Sequence, residues 1–303
     1  MPKTLAPLFK QYQVELRAIP HLQEGAQFSL LVPPKKVKDD PSKVLVRDKY
    51  GQRRAVLLIS PKSFPNTVAE GMQLTLDAKR SLGSPLGEVV MTPLAQGRRE
   101  GRTFAILPYQ EPLQSGRFAW FKQRRAITPP LMQWLLESTR HTARLPSPLE
   151  FQTNFLTPLT HLQNLKGVSS RLKRSAENCL ERHEQGQWKP RLVLMHNDLW
   201  KDNILLKNNR YGFVIIDWPG SRVNGYGIYD VIRLAQSLSL SKTHFSLAIR
   251  THCEALSCDS RDASSHLISG LAELSTRLGA FPLDQFVALA EGCLDSLERL
   301  NLR

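Results

Sequence analysis

The spacing of apolar positions changes about a third of the way along the chain. In the first hundred or so residues, short apolar and β-branched runs alternate with turn signals, as strands do. KVLVRDKYGQRRAVLLIS, residues 43–60, carries two such runs around Asp48, Lys49, Tyr50 and Gly51, which predicts a hairpin. NTVAEGMQLTLDAKRSLG, 66–83, instead sets Val68, Met72, Leu74 and Leu76 at helical spacing between a capping Asn66 and a terminating Gly83. EVVMTPL (88–94) and TFAILPY (103–109) read as two further strands around an Arg-rich turn at 98–102. After the Pro-containing stretch AILPYQEPLQSG the period becomes helical, through PPLMQWLLESTRHTAR, EFQTNFLTPLTHLQNL and GVSSRLKRSAENCLERHEQ. Four more amphipathic segments follow Asp230. The pattern divides the chain into a strand-rich part, 1–107, a connector, 108–113, and a mainly helical part, 114–303, an α+β arrangement without internal repeats.

Composition narrows the class without choosing a chemistry. The 303 residues are 41% hydrophobic and 22% charged, ordinary for a folded protein with sizeable cores. No run of eighteen apolar residues occurs, and MPKTLAPLFKQYQVELRAIP lacks the apolar centre and cleavage site of a secretory signal, so a cytoplasmic location is expected. Cys179, Cys253, Cys258 and Cys293 form no CxxC pair and read as reduced thiols. Lys and Arg number 41 against 27 acidic residues, a formal charge of +14 that favours anionic partners such as nucleotides, acidic substrates or anionic lipid. The basic clusters PPKKVKDDPSK, RDKYGQRR and QGRREGR contain one aromatic residue, Tyr50, and read as solvated turns, so no nucleic acid is expected as a partner.

The chemistry concentrates in LVLMHNDLWKDNILL, 192–206, and FVIIDW, 213–218. Asp198 and Asn203 lie five residues apart on one loop, and Asp217 ends an apolar strand fourteen residues beyond Asn203. Phosphoryl transfer needs a carboxylate that orients and deprotonates the attacking hydroxyl, and oxygen ligands that hold Mg²⁺ against nucleotide phosphates. Asp198 suits the first task, Asn203 and Asp217 the second. An Asp in this position also suits a turn cap, and an Asn can simply tie down its loop. The spacing between Asp and Asn is that of the kinase loop H-R-D-x-x-x-x-N.

HNDLWKDNIL, with His196, Asp198, Leu199 and Asn203, resembles the loop of the aminoglycoside phosphotransferase and choline kinase superfamily, and its Leu-Trp pair is similar to that of fructosamine kinases. Ile216, Asp217 and Trp218, followed by Gly220, Gly225, Gly227 and Asp230, resemble that superfamily's metal-binding strand and turn. The resemblance implies a protein-kinase-like two-lobed fold, with a small antiparallel-sheet N-lobe that binds nucleotide and a helical C-lobe that binds substrate. It implies ATP and Mg²⁺ as cofactors and the hydroxyl of a small molecule (a sugar, an amino alcohol or a relative) as acceptor. Under it His196 and Asp230 support the catalytic loop, 108–113 is the hinge, and Ile106, Leu107 and Tyr109 wall the adenine. An ordinary Pro-rich linker would read the same way as that hinge.

The N-lobe departs from the pattern. A kinase carries a lysine on its third strand, paired with a helix glutamate, to hold the α- and β-phosphates. Glu70 is placed to be that glutamate, but the strand reads AVLLIS, with Leu58 or Ile59 in the lysine slot. Lys62 just beyond, or Lys35, Lys36, Lys38 or Lys43 before, stands as the substitute, and Gly25 is the best phosphate-loop glycine. Three functions follow: a small-molecule kinase; an inactive kinase-like nucleotide-binding protein; and a kinase of a cell-envelope or lipid-linked sugar, weakly associated with an anionic membrane surface.

Overall fold

The structure is a computed structural model and describes residues 6–22, 25–31, 39–279 and 281–301. Lys35, Lys36 and Lys38 lie outside these residues. Ten strands are present among the described residues: β1 (Ala26–Leu30), β2 (Ser42–Asp48), β3 (Arg53–Ile59), β4 (Ala95–Arg99), β5 (Arg102–Pro108), β6 (Glu111–Pro112), β7 (Val193–Met195), β8 (Ile204–Leu206), β9 (Phe213–Ile215) and β10 (Arg222–Gly225). The helices are α1 (Ala6–Arg17), α2 (Thr67–Leu82), α3 (Arg117–Thr142), α4 (Pro148–Phe151), α5 (Thr157–Asn164), α6 (Ser170–Glu184), α7 (Tyr229–Ser237), α8 (Lys242–Ala255), α9 (Asp262–Ser275) and α10 (Leu283–Glu298).

The first five strands form one antiparallel sheet in the order β1-β2-β3-β5-β4. Its predicted hairpin is closed by Asp48, whose carboxylate accepts the backbone N–H groups of Tyr50 and Gln52, both at 2.9 Å, and pairs with Arg54 at 2.8 Å. Gly51 takes φ +79°, the left-handed conformation that this turn requires.

Alternation along the strands separates the two faces of the sheet. Val44, Val46, Ala55, Leu57, Ile59, Phe104 and Ile106 point to one face, where Tyr12 and Leu16 of α1 cover them. Tyr12 meets Phe104 edge-on, with ring centroids 4.9 Å apart. Leu58, Ala105 and Leu107 point to the other, against Val68 and Met72 of α2. The covering helix α1 falls in a region the sequence pattern reads as strands; its sparse apolar positions make sense only against the sheet.

Two predicted boundaries are displaced. Segment 88–94 is not a strand: a 3-10 turn occupies Leu86–Val89, Val90 makes a lone parallel bridge to Ile215, and the strand itself is Ala95–Arg99. Val89 and Val90 are buried between α2, α3 and β9 instead of pairing in the five-stranded sheet. The helix expected to begin at Pro129 starts at Arg117 and runs through Pro129 and Pro130. Its buried face, Ile127, Leu131, Trp134 and Leu135, keeps helical spacing across the prolines, so packing overrides the break.

α2 is also held differently from the sequence expectation. Asn66 makes no side-chain capping bond; its Oδ1 accepts from Arg98. Ser60 at the end of β3 accepts the N–H of Val68 at 3.0 Å, and Thr103 of β5 accepts that of Ala69 at 3.2 Å. The two free amides at the helix start are therefore satisfied by the sheet, which fixes α2 onto it.

The remaining helices enclose a second, larger core that includes Trp134, Phe155, Trp188, Phe213, Trp218 and Tyr226. β6, in the connector, pairs with β8, and β8 pairs with β9. The four cysteines are free, three of them buried in this core. No helix among the described residues is long and apolar enough to cross a membrane.

Candidate active site

Three short strands bring the motif residues together. β7 runs into His196, β8 starts just after Asn203, and β9 ends two residues before Asp217. Ile204 pairs with Ile215, and the N–H of Ile216 donates to the carbonyl of Asn203 at 2.9 Å, so Asn203 and Asp217 stand at neighbouring strand ends. Asn197 and Asp217 both have positive φ, 72° and 66°, conformations that Asn and Asp tolerate better than most residues.

The side-chain amide of Asn203 donates to the backbone carbonyl of Asp198 at 2.8 Å and to its Oδ2 at 3.1 Å. Both donors of that amide are spent on Asp198. Its Oδ1 accepts no hydrogen bond among the described residues, and the exposed Asp217 carboxylate has no side-chain partner there either. Asp198 is open on its solvent side, but the loops beneath withdraw part of it from water. That withdrawal raises its pKa; the nearby Asp217 charge adds to the rise and the Asn203 bond opposes it.

His196 is buried, and its ring lies 4.5 Å from that of Trp218. Nε2 meets the carbonyl of Ile216 at 2.9 Å, and Nδ1 accepts the N–H of Asp198 at 3.3 Å. These partners place the proton on Nε2, and burial lowers the ring's pKa to about 4. Both nitrogens are occupied by backbone, which leaves none to accept a substrate proton. Asp230, at the start of α7, is buried and accepts the N–H groups of His196 at 2.6 Å and Asn197 at 3.0 Å. Burial pushes its pKa up to about 7, against those two bonds.

The N-lobe residues divide. Leu107 lies on the sheet face shared with α2. Ile106 does not: it is buried on the opposite face, beneath α1, because adjacent strand residues point to opposite sides, and it cannot wall a nucleotide site on the α2 side. Tyr109 sits in the connector, its hydroxyl bonded to Arg53 and Glu111 and its N–H bonded to the carbonyl of Arg54. Glu70 is exposed on α2, with no ion pair among the described residues; Val68, Gly71, Met72 and Thr75 take the inward positions. Lys62 is exposed in the turn after β3.

Two further features near these residues carry no motif. Leu45, Val56 and Leu107 are paired across β2, β3 and β5 and form an apolar row on the α2 side of the sheet. Their strand alternation was the only signal available. Ser237 of α7 accepts the N–H of Lys201 at 3.2 Å and braces the loop of Asp198 from a segment far along the chain.

A profile of the phosphotransferase enzyme family matches residues 40–250. No curated protein matches the chain by sequence. Among solved structures, a thermostable mutant of an aminoglycoside phosphotransferase in complex with AMP-PNP and hygromycin B is similar over 91% of this chain and 94% of its own, with a TM-score of 0.56 at 16% identity. A fructosamine-3-kinase homologue from Haemophilus somnus is similar over 95% of both chains, at TM-score 0.54 and 12% identity. A choline/ethanolamine kinase family protein from Mesorhizobium loti is similar over 97% of this chain and 94% of its own, at TM-score 0.51 and 16% identity. The chain shares the overall fold of these kinases, and since the family profile spans more than half of its length, the chain belongs to the phosphotransferase enzyme family and is a kinase-like phosphotransferase.

Proposed function

We propose that the protein transfers the γ-phosphoryl group of ATP to a hydroxyl of a small molecule, with Asp198 as the base. The observation that carries this reading is the pair of bonds from the Asn203 amide to Asp198. They hold the carboxylate in one orientation and leave Oδ1 of Asn203 as an unused acceptor beside Asp217. One amide oxygen and one carboxylate fit Mg²⁺, which is commonly held by one or two protein oxygens and completes its shell with phosphates and water. When bound, the ion supplies neutralising charge at the phosphates. Asp198 orients the acceptor hydroxyl and takes its proton as the new bond forms, so the protein's contribution is positioning and electrostatics.

The decisive experiment is transfer of labelled γ-phosphate from Mg·ATP to a panel of sugars, amino alcohols and nucleosides, with Asp198→Asn as the blank. Loss of transfer by about 10³-fold with nucleotide affinity retained supports the assignment; a fully active variant ends it. The intact set Asp198, Asn203 and Asp217 favours an enzyme over an inactive nucleotide-binding relative. The adenine is assigned to the connector, 108–113, and to the row Leu45, Val56 and Leu107.

One observation favours an acceptor at an anionic lipid surface. Phe118 is 88% exposed and Phe121 51% exposed near the start of α3. With Lys122 and Arg125 they follow helical spacing along one face, and residues 112–136 contain four basic residues and no acidic one. Trp120, on the same turn, lies under Lys201 of the catalytic loop, 5.3 Å from its Nζ.

A further inference from the structure

The slot on β3 where a phosphate-binding lysine is expected holds Leu58, and that residue is committed to an apolar contact with Val68 and Met72 of α2. A charge there would be set against those apolar side chains, and the buried positions of α2 include no carboxylate. We infer that Lys43, one strand across on β2, holds the phosphates of the nucleotide. This rests on the phosphotransferase reading above.

Lys43 is paired directly opposite Leu58, and Leu58 directly opposite Ala105 of β5. Opposite residues of antiparallel strands share a face, so Lys43 projects on the same side of the sheet as Leu58, the side on which α2 lies. α2 in turn meets the loop of Asp217: a Cβ built on Gly71 would come within 2.9 Å of Pro219. The face that carries Lys43 is thus the one turned towards the candidate catalytic residues.

Position along the strands agrees. The row Leu45, Val56 and Leu107 is nearer the connector, and Lys43, Leu58 and Ala105 form the next row away from it. Two residues along a strand is roughly 7 Å. A base held against the first row at the connector would leave its sugar and phosphates to extend towards the second. Lys43 is the cation of that row. Moving the lysine from β3 to β2 displaces its backbone by one strand spacing, about 4.8 Å, which a flexible four-carbon side chain can recover.

Its present partner is weakly held. Lys43 Nζ lies 3.8 Å from Asp40 Oδ1, with both side chains partly exposed, a pair that exchanges readily for a phosphate. The other cations of the hairpin are engaged at its far end: Arg47 donates to the carbonyl of Gly51 at 3.1 Å, Arg54 to Asp48 at 2.8 Å and Arg53 to the hydroxyl of Tyr109 at 2.6 Å, and Lys49 lies over the ring of Tyr50. Lys62 lies past the end of β3, beyond the row, and is exposed.

The test is calorimetric binding of Mg·AMP-PNP and of adenosine to wild type, Lys43→Met and Lys62→Met. Lys43→Met should weaken Mg·AMP-PNP by about ten- to hundredfold, the worth of a hydrogen bond to a charged group, and leave adenosine affinity within about twofold of wild type. Retained adenosine binding also reports that the lobe is folded. Lys62→Met should match wild type for both ligands. Equal Mg·AMP-PNP affinity in wild type and Lys43→Met, or a loss confined to Lys62→Met, overturns the assignment of Lys43 while leaving the phosphotransferase reading standing. Failure of the wild type to bind Mg·AMP-PNP overturns both.

Discussion

The carboxylate of Asp230 accepts the backbone N–H of His196 at 2.6 Å from a position closed to water. A second bond, from the N–H of Asn197, fixes the backbone that leads into Asp198. The two side chains at this junction respond to pH in opposite senses. Burial raises Asp230 to about 7, so the folded state holds a proton that the unfolded chain releases from about pH 4 upwards. Its stabilising contribution is full below about pH 4 and is lost as pH rises through 7. Burial lowers His196 to about 4, so its contribution is present above about pH 6.5 and is lost as pH falls towards 4. Asp230→Asn removes the first dependence and keeps the second. In urea unfolding at several pH values, the stability of wild type relative to Asp230→Asn should fall between pH 4.5 and 7.5. A difference that is flat or rising with pH would show that Asp230 does not titrate high.

Asn203→Ala removes both bonds to Asp198 together with the unused amide oxygen. Turnover should fall by about 10²-fold or more, and the Mg²⁺ concentration for half-maximal rate should rise, since one hydrogen bond to a charged group alone is worth about 1.5–3 kcal/mol. A variant with reduced turnover and unchanged Mg²⁺ requirement would confine Asn203 to orienting the carboxylate. Steady-state rates across a Mg²⁺ titration separate the two.

Gly71 is where α2 meets the loop after Asp217, and an added methyl group would lie 2.9 Å from Cγ of Pro219. Gly71→Ala must move either the helix or that loop. Overpacking of this kind costs about 1–3 kcal/mol. Here it should also lower turnover, because the loop carries Asp217. Thermal unfolding and rate measurements on the same variant check both effects; wild-type values in both would show that the contact is slack.

Glu273 on α9 is buried and pairs with Arg222 of β10 and with Arg277. Burial, followed by the Arg277 charge, lowers the pKa of Arg222, and Glu273 is the carboxylate that pairs with that part-buried guanidinium. Glu273→Ala should cost about 3 kcal/mol by leaving Arg222 uncompensated. Arg222→Leu combined with Glu273→Ala should recover much of the loss. Denaturant midpoints of the single and double variants measure the coupling.

The aromatic and basic start of α3 predicts association with anionic vesicles. Wild type should float with phosphatidylglycerol vesicles at low salt and not with phosphatidylcholine vesicles. Phe118→Ala combined with Phe121→Ala should reduce flotation about tenfold while every charge is retained. Absence of wild-type flotation at low salt would remove the lipid-surface reading, as would flotation that ignores the two phenylalanines.

Much of the fold is legible in the sequence. The Asp48–Gly51 turn, the helix at 67–82 and the loop holding Asp198 and Asn203 carry short-range patterns and appear where those patterns put them, although Asp230, Ser237 and Thr103 brace the last two from far along the chain. The strand at 95–99 and the start of α3 did not, because each depends on a distant surface. Val89 and Val90 pack under α2 and α3, and α3 keeps its buried face through a proline pair that reads locally as a beginning.

Local spacing was therefore enough for the class of fold and for the phosphotransferase loop, since a turn, a helix period and an Asp-to-Asn interval are all short-range properties of the chain. The state of each site group and the face of each strand residue came only from packing. Asp230 titrates near neutrality because the second core excludes water from it, and Ile106 is hidden because α1 covers its side of the sheet. Lys43 stands beside Leu58 because cross-strand register joins residues fifteen apart in sequence, a pairing no local pattern contains.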